Sequence, residues 1–264
     1  NISYSAGVQN SYIAFNCSYG PFSDPNVRKA AACAIDDDAI ALATKGEGHY
    51  ETAKAIDYNT DEFAYYNDDW AQLNDSLDSY DYDVEKAKEY LAESSYPDGF
   101  ECTMPTCGMF EKEAQAVQYY LGQIGITVNL ETVTISDYYQ YAYGVMQNDE
   151  GYRDYDLIGF AWFPDYADPS AYLMIYYSEN AGIGGSNISA YVNKDFDALY
   201  EAAKGQSGDE RNETLKEAYS MVVDDCAADF ICYNGPSAAV NSAYSVDMPA
   251  MWFWNFQFTQ VTKN

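Results

Sequence analysis

A run of apolar residues at positions 155 to 162, interrupted only by Asp156, constrains the fold of this chain more than any other segment. Its apolar residues are consecutive rather than alternating, which is typical of a strand buried on both faces of an α/β sheet. Ligands of open α/β sheets bind in the crevice beyond the carboxyl ends of the strands. The residues around and after Trp162, the last of this run, are therefore candidates for a binding site.

The segment that ends this strand combines aromatic rings with two carboxylates. Asp168 precedes Pro169 and an apolar helical pattern, so we interpret it as a helix-capping residue. Asp165 has no such local role, and we predict that it binds ligand, with a solvated loop acid as the alternative. The neighbouring rings could exclude water from a bound ligand, and core packing is the alternative for Trp162 and Phe163. These rings belong to Trp162, Phe163 and Tyr166.

Composition excludes several classes of function. The chain of 264 residues has 42 acidic and 13 basic residues, which gives a formal net charge of −29. Such a charge repels phosphate backbones, so we expect no nucleic-acid partner. One histidine, His49, and six cysteines without a CxxC pair give little support to a metal or cofactor site, and we predict neither. The cysteines could form disulfides in an oxidising compartment, with buried free thiols as the alternative.

Helix and strand patterns alternate along the chain. Residues 11 to 17, 100 to 105 and 126 to 130 have strand patterns, and helices intervene, two of them preceded by the capping residues Asp24 and Asp83. Strands joined by helical crossovers pair in parallel. The sequence therefore predicts an α/β fold with a mostly parallel central sheet flanked by helices.

Two segments have less regular patterns. Residues 57 to 61, in a region rich in glycine, aspartate and tyrosine, are reminiscent of a calcium loop. Glu62 stands where such a loop needs glycine, and Asp68 where it needs glutamate, so calcium is a weak alternative. Residues 251 to 258 would place aromatic rings on both faces of a strand, so we expect another structure to cover this tail.

Five segments, in the same order, resemble the carboxyl-terminal half of the family 5 extracellular solute-binding proteins, the oligopeptide- and dipeptide-binding receptors of ABC importers. The segments are YIAFNCSYGPFSDPNVRKAAACAIDDDAI, YDVEKAKEYLAESSYPDGF, VQYYLGQIGITVNLE, YDLIGFAWFPDYADPSAYL and NISAYVNKDFDAL. The resemblance implies the second lobe of a type II periplasmic-binding-protein-like clamp, with residues 18 to 235 as the ligand-binding lobe. It also implies a hinge-crossing strand at residues 1 to 17, and a return of residues 236 to 264 towards a missing first lobe.

The same resemblance implies a function. Family members capture solutes and deliver them to an ABC permease in the membrane, so we expect an extracellular or periplasmic protein anchored through an absent amino-terminal lipoprotein signal. In peptide-binding members, the aspartate at the position of Asp165 accepts the ligand's α-ammonium group, which implies a peptide ligand and no catalysis. The alternatives are a nickel chelate, opine or saccharide as ligand, a glycoside hydrolase that uses Asp165 and Asp168, and a cell-surface interaction module.

Overall fold

The computed structural model describes residues 2–4, 8–50, 68–166, 168–235, 237–246 and 261–264. Residues 57 to 61, with the calcium-like pattern, and the aromatic segment at 251 to 258 lie outside these ranges. The strands are β1 (Ile2–Tyr4), β2 (Gln9–Phe15), β3 (Phe100–Thr106), β4 (Ile126–Thr132), β5 (Leu157–Trp162), β6 (Ala228–Asn234), β7 (Ser237–Ala239), β8 (Tyr244–Val246) and β9 (Val261–Lys263). The helices are α1 (Pro25–Ala34), α2 (Asp37–Lys45), α3 (Asp68–Ser76), α4 (Val84–Ala92), α5 (Glu111–Gly122), α6 (Ile135–Ala142), α7 (Ser170–Leu173), α8 (Lys194–Gly205) and α9 (Gly208–Asp224).

Short polar side chains fix where several helices begin, because they accept from N–H groups that have no partner within the helix. Asp24 accepts from the Asn26 N–H at 2.9 Å, and Pro25 is the first residue of α1. Asp83 accepts from two backbone N–H groups at the start of α4. Both capping residues confirm the prediction from the sequence.

The central sheet has the strand order β5–β2–β6, and β2 runs antiparallel to both neighbours. Ile13 of β2 lies opposite Gly159 of β5 and Asp229 of β6. β3 and β4 form a parallel pair beside β5, where the Asp156 N–H donates to the Thr103 carbonyl at 3.1 Å. The parallel pair β3–β4 thus lies next to the β5 edge of the central sheet.

The α/β class is confirmed, but the prediction of a mostly parallel sheet is wrong around β2. The parallel pair is β3–β4, and its strands are joined by the crossover helix α5, as the sequence pattern indicates. β2 instead lies between two strands, β5 and β6, that come much later in the chain. No short helical crossover sets its direction relative to them, so helix and strand order alone does not reveal that both of its ladders are antiparallel.

Helices cover this sheet and bury its residues. α1 packs against α4, α8 against α9, and α5 against β4. The face of α1 is made of small residues, with buried alanines at 30, 31, 32 and 34, which allow α4 to approach closely. The resulting core extends from β2 to the α8–α9 pair.

Two buried arginines tie loops to this core. The Arg153 guanidinium donates to backbone carbonyls of Ala142, Ala181 and Asn187, the last at 2.7 Å. The Arg28 guanidinium likewise donates to carbonyls at residues 22, 23, 225 and 226. Arg28 and Arg153 are each only 4% exposed, so these hydrogen bonds replace water around a buried cation.

The strands near the two ends of the chain pair with one another. β1 runs antiparallel to β7, and β8 runs antiparallel to β9. The first pair joins two strands that are far apart in the sequence, one preceding β2 and the other following β6 in the chain. Among the helices that the structure describes, none is both long and apolar enough to cross a membrane.

Candidate ligand-binding site

The carboxyl end of β5 sets the position of the predicted site. Trp162, the last residue of β5, lies opposite Asn10 in the central strand β2. Earlier in β5, Gly159 contacts Oε1 of the buried Glu113 in α5, and a side chain at position 159 would overlap this carboxyl group. Glycine therefore allows α5 to pack closely on β5. Because β5 is held by β2 and by α5, the loop after Trp162 leaves the sheet at a fixed point.

Asp165 lies on this loop, three residues beyond β5, and is exposed to solvent. No hydrogen bond or ion pair to its carboxylate is present among the residues that the structure describes. Helix capping and charge pairing thus do not occupy this side chain. Its charge is available to a cationic group of a ligand.

Asp168, on the same loop, has a different environment. Its Oδ1 accepts from the Ser170 N–H at 2.9 Å, the i to i+2 contact expected of an acid that precedes a helix. Its two carboxylate oxygens also accept from Arg211 of α9, each at 2.8 Å, a contact that the sequence did not predict. Burial raises the pKa of Asp168, but hydrogen bonds from Arg211 and Ser170 outweigh burial and hold this pKa below its ordinary value.

This lowered pKa bears on the glycoside hydrolase alternative. The general acid of such an enzyme is a carboxyl group whose pKa is raised, so that it carries a proton at neutral pH. Asp168 is paired with Arg211 and has the opposite shift. Asp168 therefore does not have the environment of the general acid in a glycosidase.

The three predicted rings differ in exposure. Trp162 and Phe163 are half-buried and pack against the hydrophobic core, and Trp162 Nε1 donates to the Ala171 carbonyl at 2.8 Å. Tyr166 is 46% exposed, and its hydroxyl lies 3.3 Å from Ser170 Oγ. Trp162 and Phe163 thus have a packing role, and their contact with ligand stays a prediction. Tyr166 lies with Asp165 on the exposed part of the loop.

Sequence reasoning missed two further rings near this end of β5. Tyr139 in α6 and Tyr143 just after it stack on each other, with ring centroids 6.0 Å apart. Both lie nearly perpendicular to the ring of Phe160, which is on the same face of β5 as Trp162 because side chains alternate along a strand. Tyr139 is 39% exposed. The four-residue spacing of the two tyrosines within a predicted helix was the signal that could have identified this aromatic wall.

The structure also describes the other chemistry considered from the sequence. Within the described ranges, no group of three or more histidine, cysteine or acidic side chains could hold a metal ion. The six cysteines are free thiols, and burial raises the pKa of Cys17 to about 11 and that of Cys232 to about 12. The end of β5 thus places an exposed carboxylate beside aromatic rings, and ligand binding there stays a prediction.

Comparison with known proteins identifies the family of this α/β chain. Residues 1–183 match the model of the bacterial extracellular solute-binding proteins, family 5 Middle. The chain belongs to this family. The prediction drawn from the five sequence segments is confirmed.

Two curated relatives show how much of a family member is present. The chain is 30% identical over 225 residues to heme-binding protein A of Haemophilus influenzae, which covers 82% of this chain and 38% of that protein. It is 26% identical over 242 residues to the dipeptide-binding protein of Escherichia coli, which covers 89% of this chain and 42% of that protein. The chain thus spans about two fifths of the length of these relatives.

A solved structure supports the fold. The periplasmic binding protein DppA of Helicobacter pylori, an ABC transporter-associated protein in complex with the peptide STSA, is similar to 93% of this chain. The matching region covers 45% of that protein, with a TM-score of 0.79 and 26% sequence identity. This similarity confirms the predicted periplasmic-binding-protein fold.

Proposed function

We propose that this chain is one lobe of the substrate-binding component of an ABC importer, and that it captures peptides. The observation that carries the proposal is Asp165, an exposed carboxylate without a partner among the described residues, beside aromatic rings at the carboxyl end of β5. Such a carboxylate suits the α-ammonium group of a peptide, and the rings suit its side chains. Relatives named for dipeptide binding and for heme binding show that ligand class varies within the family, so the proposal rests on this site chemistry.

The proposal includes a first lobe that closes over the site. Residues 18 to 235 act as the ligand-binding lobe in this proposal, residues 1 to 17 cross the hinge, and residues 236 to 264 return towards the first lobe. The β1–β7 pair, which joins the two ends of the chain, and the 38% to 42% coverage of the curated relatives support this arrangement. Closure between two lobes would bury the ligand from both sides.

The cellular context follows from the same proposal. The complete protein would lie outside the cytoplasmic membrane, in the periplasm or at the cell surface, anchored by a lipoprotein signal. It would deliver its ligand to an ABC permease. Family membership supports the extracytoplasmic location. The lipoprotein anchor is a more specific proposal, which comes from the family resemblance of the sequence.

Replacement of Asp165 in the complete two-lobed protein tests the ligand assignment. Asp165→Asn keeps the shape of the side chain and removes its charge. We expect it to weaken binding of peptides with a free amino terminus by about 1.5 to 3 kcal/mol, the value of a charge-assisted hydrogen bond. N-acetylated peptides should bind equally to both proteins. Isothermal titration calorimetry measures these affinities.

A matched control is Asp98→Asn, which removes an exposed charge in the turn before β3. This variant should bind free and acetylated peptides as the unmodified protein does. Equal affinity of the unmodified protein for both kinds of peptide would contradict the role of Asp165. Binding of no peptide at all would favour a nickel chelate, opine or saccharide as the ligand.

A further inference from the structure

A small cavity lies behind Trp162, between the central sheet and the helical turn at Met174–Tyr176. Asn10 and Tyr12 of β2 form its sheet side, and Tyr176 lies on the opposite side. We call this space the inner cavity. Asn10 pairs with Trp162 across the β2–β5 ladder, so the cavity adjoins the carboxyl end of β5, where the proposed ligand site lies.

Three polar side chains of the inner cavity lack hydrogen-bond partners. The Asn10 amide, the Tyr12 hydroxyl and the Tyr176 hydroxyl make no hydrogen bond within the described part of the chain. These residues are only 3%, 1% and 2% exposed. A buried polar group without a partner destabilises the fold. Three such groups around one space indicate that a polar molecule or group occupies it.

Other polar groups that line the same cavity are directed elsewhere. The Tyr172 hydroxyl donates to the Val8 carbonyl at 2.6 Å, and Trp162 Nε1 donates to the Ala171 carbonyl at 2.8 Å. The fold therefore satisfies polar groups at this depth where it has an acceptor nearby. The unpaired amide and hydroxyls belong to the remaining polar lining residues, Asn10, Tyr12 and Tyr176.

The size and charge of the inner cavity restrict its occupant. It has room for about one water molecule. The lining residues are uncharged, and an ion in such a space would lose its hydration without gaining a partner of opposite charge. Trp162 and Phe230 are its partly exposed lining residues, so they form the entrance from the ligand side. A hydroxyl group has the required size, neutrality and ability to donate and accept.

We propose that the inner cavity is a subsite for the hydroxyl group of a ligand side chain. This inference rests on the proposed peptide-binding function and adds a preference for one class of side chain. Asn10, Tyr12 and Tyr176 determine that preference. Asp165 anchors the peptide's amino group and does not contribute to it.

Peptides that differ only by threonine and valine test the subsite, because these side chains have nearly the same shape. Calorimetry on the complete two-lobed protein would compare di- and tripeptides with threonine or valine at each position. At one position, we expect threonine to bind about three- to tenfold more tightly, the effect of one hydrogen bond. In Tyr176→Phe, this ratio should fall to about one or below, because valine binding is retained and threonine loses a partner.

Tyr172→Phe is the matched control, because it removes a hydroxyl from the same cavity wall that already donates to Val8. It should retain the preference for threonine. Equal binding of threonine and valine peptides at every position would overturn the subsite and leave the proposed function intact. A preference that survives in Tyr176→Phe would also overturn it. If no peptide binds, both the subsite and the proposed function fail.

Discussion

Buried polar groups around Arg153 and around the inner cavity differ in how far they are paired by hydrogen bonds. The Arg153 guanidinium donates to carbonyls at the end of α6 and in the loop at residues 181 and 187. Beside Trp162, by contrast, Asn10, Tyr12 and Tyr176 are buried with polar atoms that have no partner among the described residues. Buried polar groups that have hydrogen-bond partners stabilise a fold. Those without partners destabilise it until another molecule binds them.

The comparison shows where buried polar groups have no partner among the described residues. Arg153 holds the loop at residues 181 and 187 through Nη1 and Nη2, and its Nε is the one nitrogen of this guanidinium without a partner in the described ranges. The unpaired amide and hydroxyls of the inner cavity adjoin the carboxyl end of β5, on one face of the sheet. The opposite face has its own unpaired group in Glu113, which packs on Gly159 in the row that includes Asp229. Because α5 covers that face, the Glu113 carboxyl group affects the stability of the fold and its pH dependence, and we assign it no contact with ligand.

The largest expected effect comes from removing the hydrogen bonds of the Arg153 guanidinium. Arg153→Met leaves several buried carbonyl groups without their donor, so we expect a loss of about 3 to 5 kcal/mol in the free energy of unfolding. Urea denaturation followed by circular dichroism measures this loss. Lys112→Met removes the same charge from an exposed position in α5 and should change stability by less than about 0.5 kcal/mol. Equal stability of the two variants would show that the Arg153 hydrogen bonds are dispensable.

Burial raises the pKa of Glu113 from 4.5 to about 7, although Lys45 opposes the shift. Between these values, the folded protein keeps a proton that the unfolded chain has lost, so stability falls as the pH rises through this window. Above the folded pKa, the ionised Glu113 destabilises the folded protein by about 3 kcal/mol, and this value no longer changes with pH. Glu113→Gln removes this destabilisation. Compared with the unmodified protein, the variant should therefore gain more stability at pH 8 than at pH 4.5.

Urea denaturation at a series of pH values checks this second prediction. Glu111→Gln, an exposed substitution in the same helix, should leave the pH dependence unchanged. Asp229 and Asp37 also have pKa values raised by burial and will contribute a remaining dependence. An identical pH profile for Glu113→Gln and the unmodified protein would mean that this carboxyl group does not hold its proton in the fold.

The sequence predicted local features of this fold better than the partners of its buried polar groups. Caps such as Asp24 and Asp83 depend on neighbouring residues, and the buried strand β5 depends on a continuous apolar run, so both are legible in the sequence. The antiparallel ladders of β2 depend on strands more than 140 residues away. Short-range patterns do not encode the direction of such pairs.

The candidate site was predictable to a similar extent. Asp165 and the adjacent rings follow β5 directly, so their position came from the strand pattern and the family resemblance. The Asp168 contact with Arg211 joins positions 43 residues apart, and the inner cavity combines β2 with the turn that contains Tyr176. Asn10 looked like an ordinary strand residue. Only the tertiary fold shows that its amide is buried and unpaired.

A third prediction compares Asp165 and Asp168, the two acids of the loop after β5. Asp168→Asn can still accept from the Ser170 N–H but loses the ion pair with Arg211, so we expect a loss of about 1 to 2 kcal/mol. This estimate is below that for a fully buried pair, because the two side chains are 28% and 26% exposed. Asp165→Asn on the same loop should leave the free energy of unfolding unchanged.

The sign of the pH dependence sharpens this test. Because the pKa of Asp168 is lowered in the folded protein, its contribution is present above the ordinary value of 3.8 and is lost as the pH falls through the folded pKa. The difference in unfolding free energy between Asp168→Asn and the unmodified protein should therefore shrink on acidification below pH 3.8. A difference that is constant from pH 7 to pH 2 would exclude the ion pair as its cause.

The smallest expected effect separates two tyrosines of the same cavity. Tyr172→Phe deprives the Val8 carbonyl of a donor at 2.6 Å and should destabilise the protein by about 1 kcal/mol. Tyr176→Phe removes a hydroxyl that has no partner in the described protein and should leave stability unchanged within about 0.5 kcal/mol, or raise it slightly. Thermal unfolding of the ligand-free protein measures both. If Tyr176→Phe is the more destabilising variant, its hydroxyl is already saturated without ligand, and the contrast between the inner cavity and the Arg153 region disappears.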